Sequence, residues 1–204
     1  MERIEAVRRL NQLKGADLVE LASYYGIQIL YNKEDGKITK NKGWAGHVIE
    51  RFLGIQLNSS RSPNFGSWEL KLISLKYLND GKLTVKETMA ITMIDPVHVI
   101  KNEFINSHLY SKLQKALIVS RIWTGVDEAR SIIHNVVEFD LGTEDIYNTV
   151  KNDYNIVRDS LINSIPLSSS MGKYIQPRTK GPGHGSTSRA FYARTGFLKL
   201  VLGL

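Results

Sequence analysis

Cysteine is absent from the 204 residues. That excludes disulfides and thiolate metal sites, so any metal must be held by oxygen or imidazole, and it fits a reducing compartment. Long apolar runs are missing too: nothing approaches the roughly 18 consecutive apolar residues of a membrane-spanning helix. The opening MERIEAVRRLNQL carries charges where a secretory signal has its apolar stretch. A cytoplasmic protein with no membrane partner is expected. The third absence is local. From Met171 to Leu204 there is no Asp or Glu, while Lys173, Arg178, Lys180, Arg189, Arg194 and Lys199 all fall there, against a net charge of +7 for the chain. Tyr174, Phe191, Tyr192 and Phe197 interleave with these cations. Basic and aromatic side chains mixed in this way suit a polyanion, nucleic acid above all; the plainer alternative is a solvated basic face.

A chain of this length, 42% hydrophobic, can bury one sizeable core. One domain spanning residues 1–204 is expected, with 171–204 as a basic recognition segment within it. ERIEAVRRLNQL and ADLVELASYYG repeat apolar residues at helical spacing. In WAGHVIERFLG, Trp44, Val48 and Phe52 form one stripe and Ala45, Ile49 and Leu53 the next, so a largely buried helix is expected there. From Trp68 to Leu78 the pattern suits a strand. The tight-turn signal at 79–81 leads into KLTVKETMAITMI, which reads as the second arm of a long hairpin. A helix over EFINSHLYSKLQ, strands over KALIVSRIW and ARSIIHNVVEFDL, and a helix over about 144–161 follow. The serines at 168–170 break the pattern before a short strand KYIQPR, a Gly-rich loop at 179–188 and a final apolar helix or strand, GFLKLVLGL. Helices flanking a mixed sheet make the fold class α/β or α+β.

The stretch SPNFGSWELKL carries the chemistry. Strand side chains alternate, so Glu69 and Lys71 project to one face. Opposite charges on an otherwise apolar face must pair, bind a metal or lie at the open end of a sheet, because burial without partners costs several kcal/mol. An ordinary ion pair near a strand end would satisfy them. The preceding Pro63-Asn64 adds the frame of P-D-x(n)-E-x-K, in which two carboxylates and a backbone carbonyl hold a hard divalent cation and the lysine orients the attacking water. Here the first acid is an amide, which keeps the shape and a carbonyl oxygen but removes one negative charge. Glu50 falls on one helical face with Gly43, Gly46 and His47, away from much of the apolar stripe, where it can reach a polar cleft or pair with a surface cation. His98, His108, His134 and His184 show no metal-ligand spacing.

These blocks resemble the MutH family of mismatch-repair endonucleases and its relatives among type II restriction enzymes, within the PD-(D/E)XK nuclease superfamily. The similar segments are KGWAGHVIERFLG followed by PNFGSWELK, then SHLYSKLQKALIV, YIQPRTK and RAFYARTGF, in family order from about residue 14 to 200. The resemblance implies a restriction-endonuclease-like mixed sheet flanked by helices. It also implies a site in which Asn64 occupies the catalytic Asp position, Glu69 is the second metal ligand, the Leu70 carbonyl is a third, Lys71 is the catalytic lysine and Glu50 supports the metal. Arg178 and Lys180 match basic DNA-contacting positions, and Tyr192 matches a tyrosine near the target adenine. Lys42, Arg189 and Arg194 complete the expected DNA-binding set. Two departures stand out: Asn64 itself, and a short Gly-rich segment between Lys180 and Arg189 where the GATC-reading repair enzymes have a longer insert.

The expected function is therefore a Mg²⁺-dependent, sequence-specific endonuclease of the type II restriction kind. It acts on double-stranded DNA, leaves a 5′-phosphate, and needs a dimer or second subunit to cut both strands. Asn64 marks this chain as an inactivated version of an enzyme with Asp there. A MutH-type nicking enzyme is the alternative within the family. A non-catalytic DNA-binding protein is the alternative from another class and would stay silent after Asn64→Asp. A metal-free globular protein with a basic tail would bind all sequences equally and lose them steeply with salt.

Overall fold

Residues 1–31, 38–40, 43–55, 63–125, 129–180 and 187–204 are described by the computed structural model of this chain. The helical spacing at the start produces α1 (Arg3–Asn11), with Ala6 and Leu10 buried, and α2 (Leu18–Tyr24). Asp17 caps α2: its Oδ1 accepts from the Val19 N–H (3.0 Å) and from the Ser131 N–H (2.9 Å). One carboxylate thus starts a helix and ties it to the chain entering a strand. After the two-stranded ribbon β1 (Leu30–Tyr31) and β2 (Ile38–Lys40) comes α3 (Trp44–Leu53). It buries Trp44, Ala45, Val48, Ile49 and Leu53 and leaves Gly46, His47 and Glu50 half-exposed, as the stripes require, except that Phe52 at the end of the first stripe is half-exposed too. Gly54, at φ +77°, ends it, with the Ile55 N–H returning to the Glu50 carbonyl at 2.9 Å.

The strands are β3 (Glu69–Tyr77), β4 (Leu83–Val85), β5 (Met89–Met93), β6 (Lys115–Ile122), β7 (Ile133–Asp140), β8 (Ile175–Thr179) and β9 (Arg189–Ala193). They form a four-stranded sheet in the order β4-β3-β6-β7 and a three-stranded antiparallel sheet in the order β5-β9-β8. The long hairpin expected from residue 68 to 94 is thereby corrected. Its second arm breaks at the polar run Lys86-Glu87-Thr88, so β4 pairs with β3 and β5 pairs with β9. The expected helix at 103–114 is likewise divided, into a 3₁₀ turn (Phe104–Asn106) and α5 (His108–Leu113). Ser107 divides it: its extended backbone leaves the helix while its hydroxyl caps α5 at the Tyr110 N–H (3.0 Å). Four elements had no expectation: β1 and β2, in a polar stretch that reads as a loop, α4 (Pro96–Lys101), started by Asp95 and a proline at its first turn, and β9. The remaining helices are α6 (Glu144–Ile162) and α7 (Thr195–Leu202). Among the described residues no helix is long and apolar enough to cross a membrane.

The chain is α+β, of the restriction-endonuclease-like kind, and folds as two compact units that interleave in sequence. The first comprises Met1–Ser60, Leu70–Lys86 and Leu117–Glu138; the second comprises Arg61–Glu69, Glu87–Ala116 and Phe139–Leu204. Inside the second unit, Tyr154 of α6 is fully buried between Phe104 and Phe191, its hydroxyl donating to the Asn102 carbonyl at 2.9 Å. Beside it Asp153, also buried, accepts the N–H groups of Lys173 (2.7 Å), Tyr174 (2.7 Å) and Ile175 (2.8 Å). Three backbone donors on one carboxylate turn the chain into β8. Gly172 fits this turn because its φ is +76° and a Cβ there would lie 1.9 Å from the Ile175 carbonyl oxygen.

Gly172→Ala is expected to destabilise the fold by about 2 kcal/mol or more, read by denaturant unfolding, since it combines a left-handed backbone with a backbone clash. Burial also pushes the Tyr154 hydroxyl above its ordinary pKa of 10.0. In the unfolded chain that tyrosine ionises first, so its contribution is intact below about pH 10 and is lost as pH rises above it. Tyr154→Phe should flatten the alkaline limb of a stability–pH profile.

Candidate functional site

The turn before β3 positions the centre of the site. The Gly66 N–H returns to the Pro63 carbonyl at 3.1 Å and the Phe65 N–H reaches the Trp68 carbonyl at 3.1 Å, with Gly66 at φ +74°. Phe65 stacks on the buried Trp68 ring at 3.8 Å and an interplanar angle of 7°. This tight loop brings Asn64 back to Glu69, whose Oε2 accepts the Asn64 N–H at 3.0 Å. Glu69 is 1% exposed, and its Oε1 takes an ion pair with the Lys112 ammonium at 3.2 Å, a cation that is itself buried. Both oxygens of a desolvated carboxylate are therefore satisfied, one by charge and one by a backbone donor.

Asn64 and Glu69 belong to the second unit, and Glu50 and Lys71 belong to the first. Glu50 lies on the half-exposed face of α3 and Lys71 half-buried on β3, two residues after Glu69. Among the described residues no three His, Asp or Glu side chains gather as a metal cage. With an amide at position 64, the acid count of this frame is one short of the motif it resembles.

The expected recognition residues separate into three kinds. Arg178 on β8 and Tyr192 on β9 come together, the guanidinium carbon 5.5 Å from the ring centroid, within cation–π range. Lys180 follows β8, exposed, its N–H donating to the Ser188 carbonyl at 2.8 Å, and Arg189 is half-buried at the start of β9 opposite Thr179. Arg194 instead faces its own chain: Nε donates to the Gly172 carbonyl (3.0 Å) and Nη2 to those of Ser169 (2.7 Å) and Met171 (2.9 Å). Lys42, His184 and the Gly-rich segment at 181–186 lie outside the described residues.

The residue that sequence reasoning passed over is Lys112. It sits in the SHLYSKL block, but helical spacing shows only that it lies on α5, not that its ammonium is buried against a carboxylate 43 positions earlier. The available signal was the Ser107 cap, which fixes where α5 starts and so which way Lys112 points.

Removing one partner of a buried pair strands the other charge. Lys112→Met should cost about 3–5 kcal/mol in chemical denaturation. Adding Glu69→Gln to it should recover part of that loss, because the stranded carboxylate is then neutral.

The family model described as "DNA mismatch repair enzyme MutH" matches residues 53–159, just over half of the chain. The chain is 22% identical over 221 residues to the DNA mismatch repair protein MutH of Vibrio vulnificus strain YJ016, covering 97% of this chain and 91% of that protein. It is 30% identical over 128 residues to MutH of Haemophilus ducreyi, covering 63% of this chain and 51% of the relative. It is also 25% identical over 182 residues to the type II restriction enzyme Sau3AI of Staphylococcus aureus, covering 81% of this chain and 37% of that enzyme. A match spanning the α3 end, the Asn64–Glu69 turn, α5 and most of α6 leaves one conclusion: the chain belongs to the MutH family.

Proposed function

We propose that this protein is a single-domain, sequence-specific DNA endonuclease of the type II restriction kind, acting with Mg²⁺ and leaving a 5′-phosphate, and that Asn64 impairs it. The observation that carries the reading is the closed turn that sets Asn64 against the Glu69 carboxylate at 3.0 Å, with Lys71 two residues further along the strand. Family membership and relatives named as a mismatch-repair protein and a restriction enzyme support the same class of chemistry.

In this reading the Glu69 carboxylate, the Asn64 side-chain oxygen and the Leu70 carbonyl would hold the cation, with Glu50 in support. These are the hard oxygen donors that Mg²⁺ selects, so the donor type fits the metal. The charge is lower by one than with Asp at 64. When bound, the metal supplies Lewis-acid polarisation of a phosphate and a more acidic water. Lys71 orients the water and offsets developing negative charge. Lys112 holds the Glu69 carboxylate in place when the cation is absent, an arrangement consistent with its 3.2 Å contact. Arg178, Lys180, Arg189 and Tyr192 are the proposed DNA contacts, with Lys42 joining them. Arg194 serves by bracing the turn before β8.

Nicking of one strand, as in mismatch repair, is the second reading. The observation in its favour is coverage: the Vibrio MutH aligns over nearly its whole length, whereas Sau3AI aligns over about a third of its own.

Supercoiled plasmid incubated with Mg²⁺ tests both. Asn64→Asp is expected to raise cleavage at defined sites by roughly 100-fold or more over this chain, and EDTA should abolish it. Linear product supports restriction and a dimer or second subunit; open-circular product alone supports nicking. Specific binding without cleavage by either protein would overturn the enzyme reading in favour of a recognition protein.

A further inference from the structure

Arg178 is exposed, and an arginine on a surface strand ordinarily samples many rotamers. Here it is confined from two sides. Its Nη1 donates to the Thr88 hydroxyl at 2.6 Å, and its guanidinium lies over the Tyr192 ring at 5.5 Å. The sheet order β5-β9-β8 makes this contact a bridge. Arg178 belongs to β8 and Thr88 immediately precedes β5, so the side chain crosses the central strand, over Tyr192, to reach its acceptor. The β9 register places Tyr192 opposite Gln176 on one side and Ala90 on the other, both small or buried enough to leave the ring face to the arginine.

We propose that Thr88 is a positioning residue for sequence recognition, holding the Arg178 guanidinium against Tyr192 so that its Nε–Nη2 edge reads one base pair of the target. This rests on the reading above that the β8–β9 face contacts DNA. An arginine discriminates bases through two parallel hydrogen bonds, and the fork must arrive in plane. With Nη1 taken by Thr88, the Nε–Nη2 edge is the fork that remains. Restricting the side chain before binding lowers the ordering cost for the correct base and leaves a mismatched base no alternative arginine pose. Thr88 touches no base in this scheme. Its Oγ1 acceptor matters, and its methyl group does not.

The test is binding selection from a randomised duplex library, comparing the given chain with Thr88→Val, Thr88→Ser and Arg178→Lys, each first checked for cooperative melting. The given chain is expected to select a defined motif. Thr88→Val keeps the shape but removes the acceptor, and it should lose roughly three- to tenfold in preference at one base pair only. Arg178→Lys should lose preference at that same pair, because lysine cannot form the fork. Thr88→Ser should retain the full motif, and the double variant Thr88→Val with Arg178→Lys should lose no more than Arg178→Lys alone. Undiminished preference at every position in Thr88→Val would overturn the role of Thr88. So would an equal loss at all positions, which is the mark of a general structural defect. If the given chain selects no motif at all, the recognition reading fails, and the role of Thr88 fails with it; a motif that survives Thr88→Val sinks only the latter.

Discussion

A carboxylate removed from water at the first residue of a central strand is the constraint around which the site is organised. Glu69 is 1% exposed, and a charge so placed must be matched by both ionic and hydrogen-bonding partners. The matching determines the neighbourhood. The Pro63–Gly66 turn has to close so that the Asn64 N–H points inward, Phe65 stacks on Trp68 to keep the turn in place, and α5 has to begin at Ser107 so that Lys112 arrives on the other carboxylate oxygen. A buried Glu–Lys pair is a weak source of stability. What it contributes is geometry: one ionic and one backbone partner hold the Glu69 carboxylate in a single pose.

A second carboxylate does comparable work for the sheet that carries Arg178 and Tyr192. Asp153, inside α6, gathers three successive N–H groups and so fixes the entry into β8. Arg194 grips three carbonyls of the adjoining segment from the other end. Gly172 leaves room for the chain between them. The exposed arginine and the half-buried tyrosine that this sheet presents therefore stand on a frame built by buried or inward-facing charges. That division resolves a basic segment that looked uniform. Of its six cations, Arg194 braces the fold, while Arg178 is displayed above an aromatic ring.

Much of the architecture was legible because periodicity reports burial. The stripes of α3, the length of α6 and the strands β3, β6 and β7 follow directly from apolar spacing and turn signals. What escaped were elements whose identity depends on a distant partner. RAFYA is too short to declare itself a strand until β5 and β8 flank it, and VHVIK became a helix through the Asp95 cap and the proline beside it rather than through its own spacing. The apparent hairpin arm at 82–94 failed for the same reason: alternation shows that residues lie in strands, not which sheet each strand joins.

The sequence by itself determined the membership of the motif, Asn64, Glu69 and Lys71 in their spacing, and the concentration of positive charge in the last 34 residues. It did so because covalent spacing and strand alternation are local. Only the tertiary structure decided that Lys112 faces Glu69, that Arg178 crosses β9 to Thr88, and that Arg194 bonds to the carbonyls before β8. Each of these joins residues more than 20 positions apart, and which donor meets which acceptor across such distances is decided by how helices and strands pack, through long-range burial that no local pattern encodes.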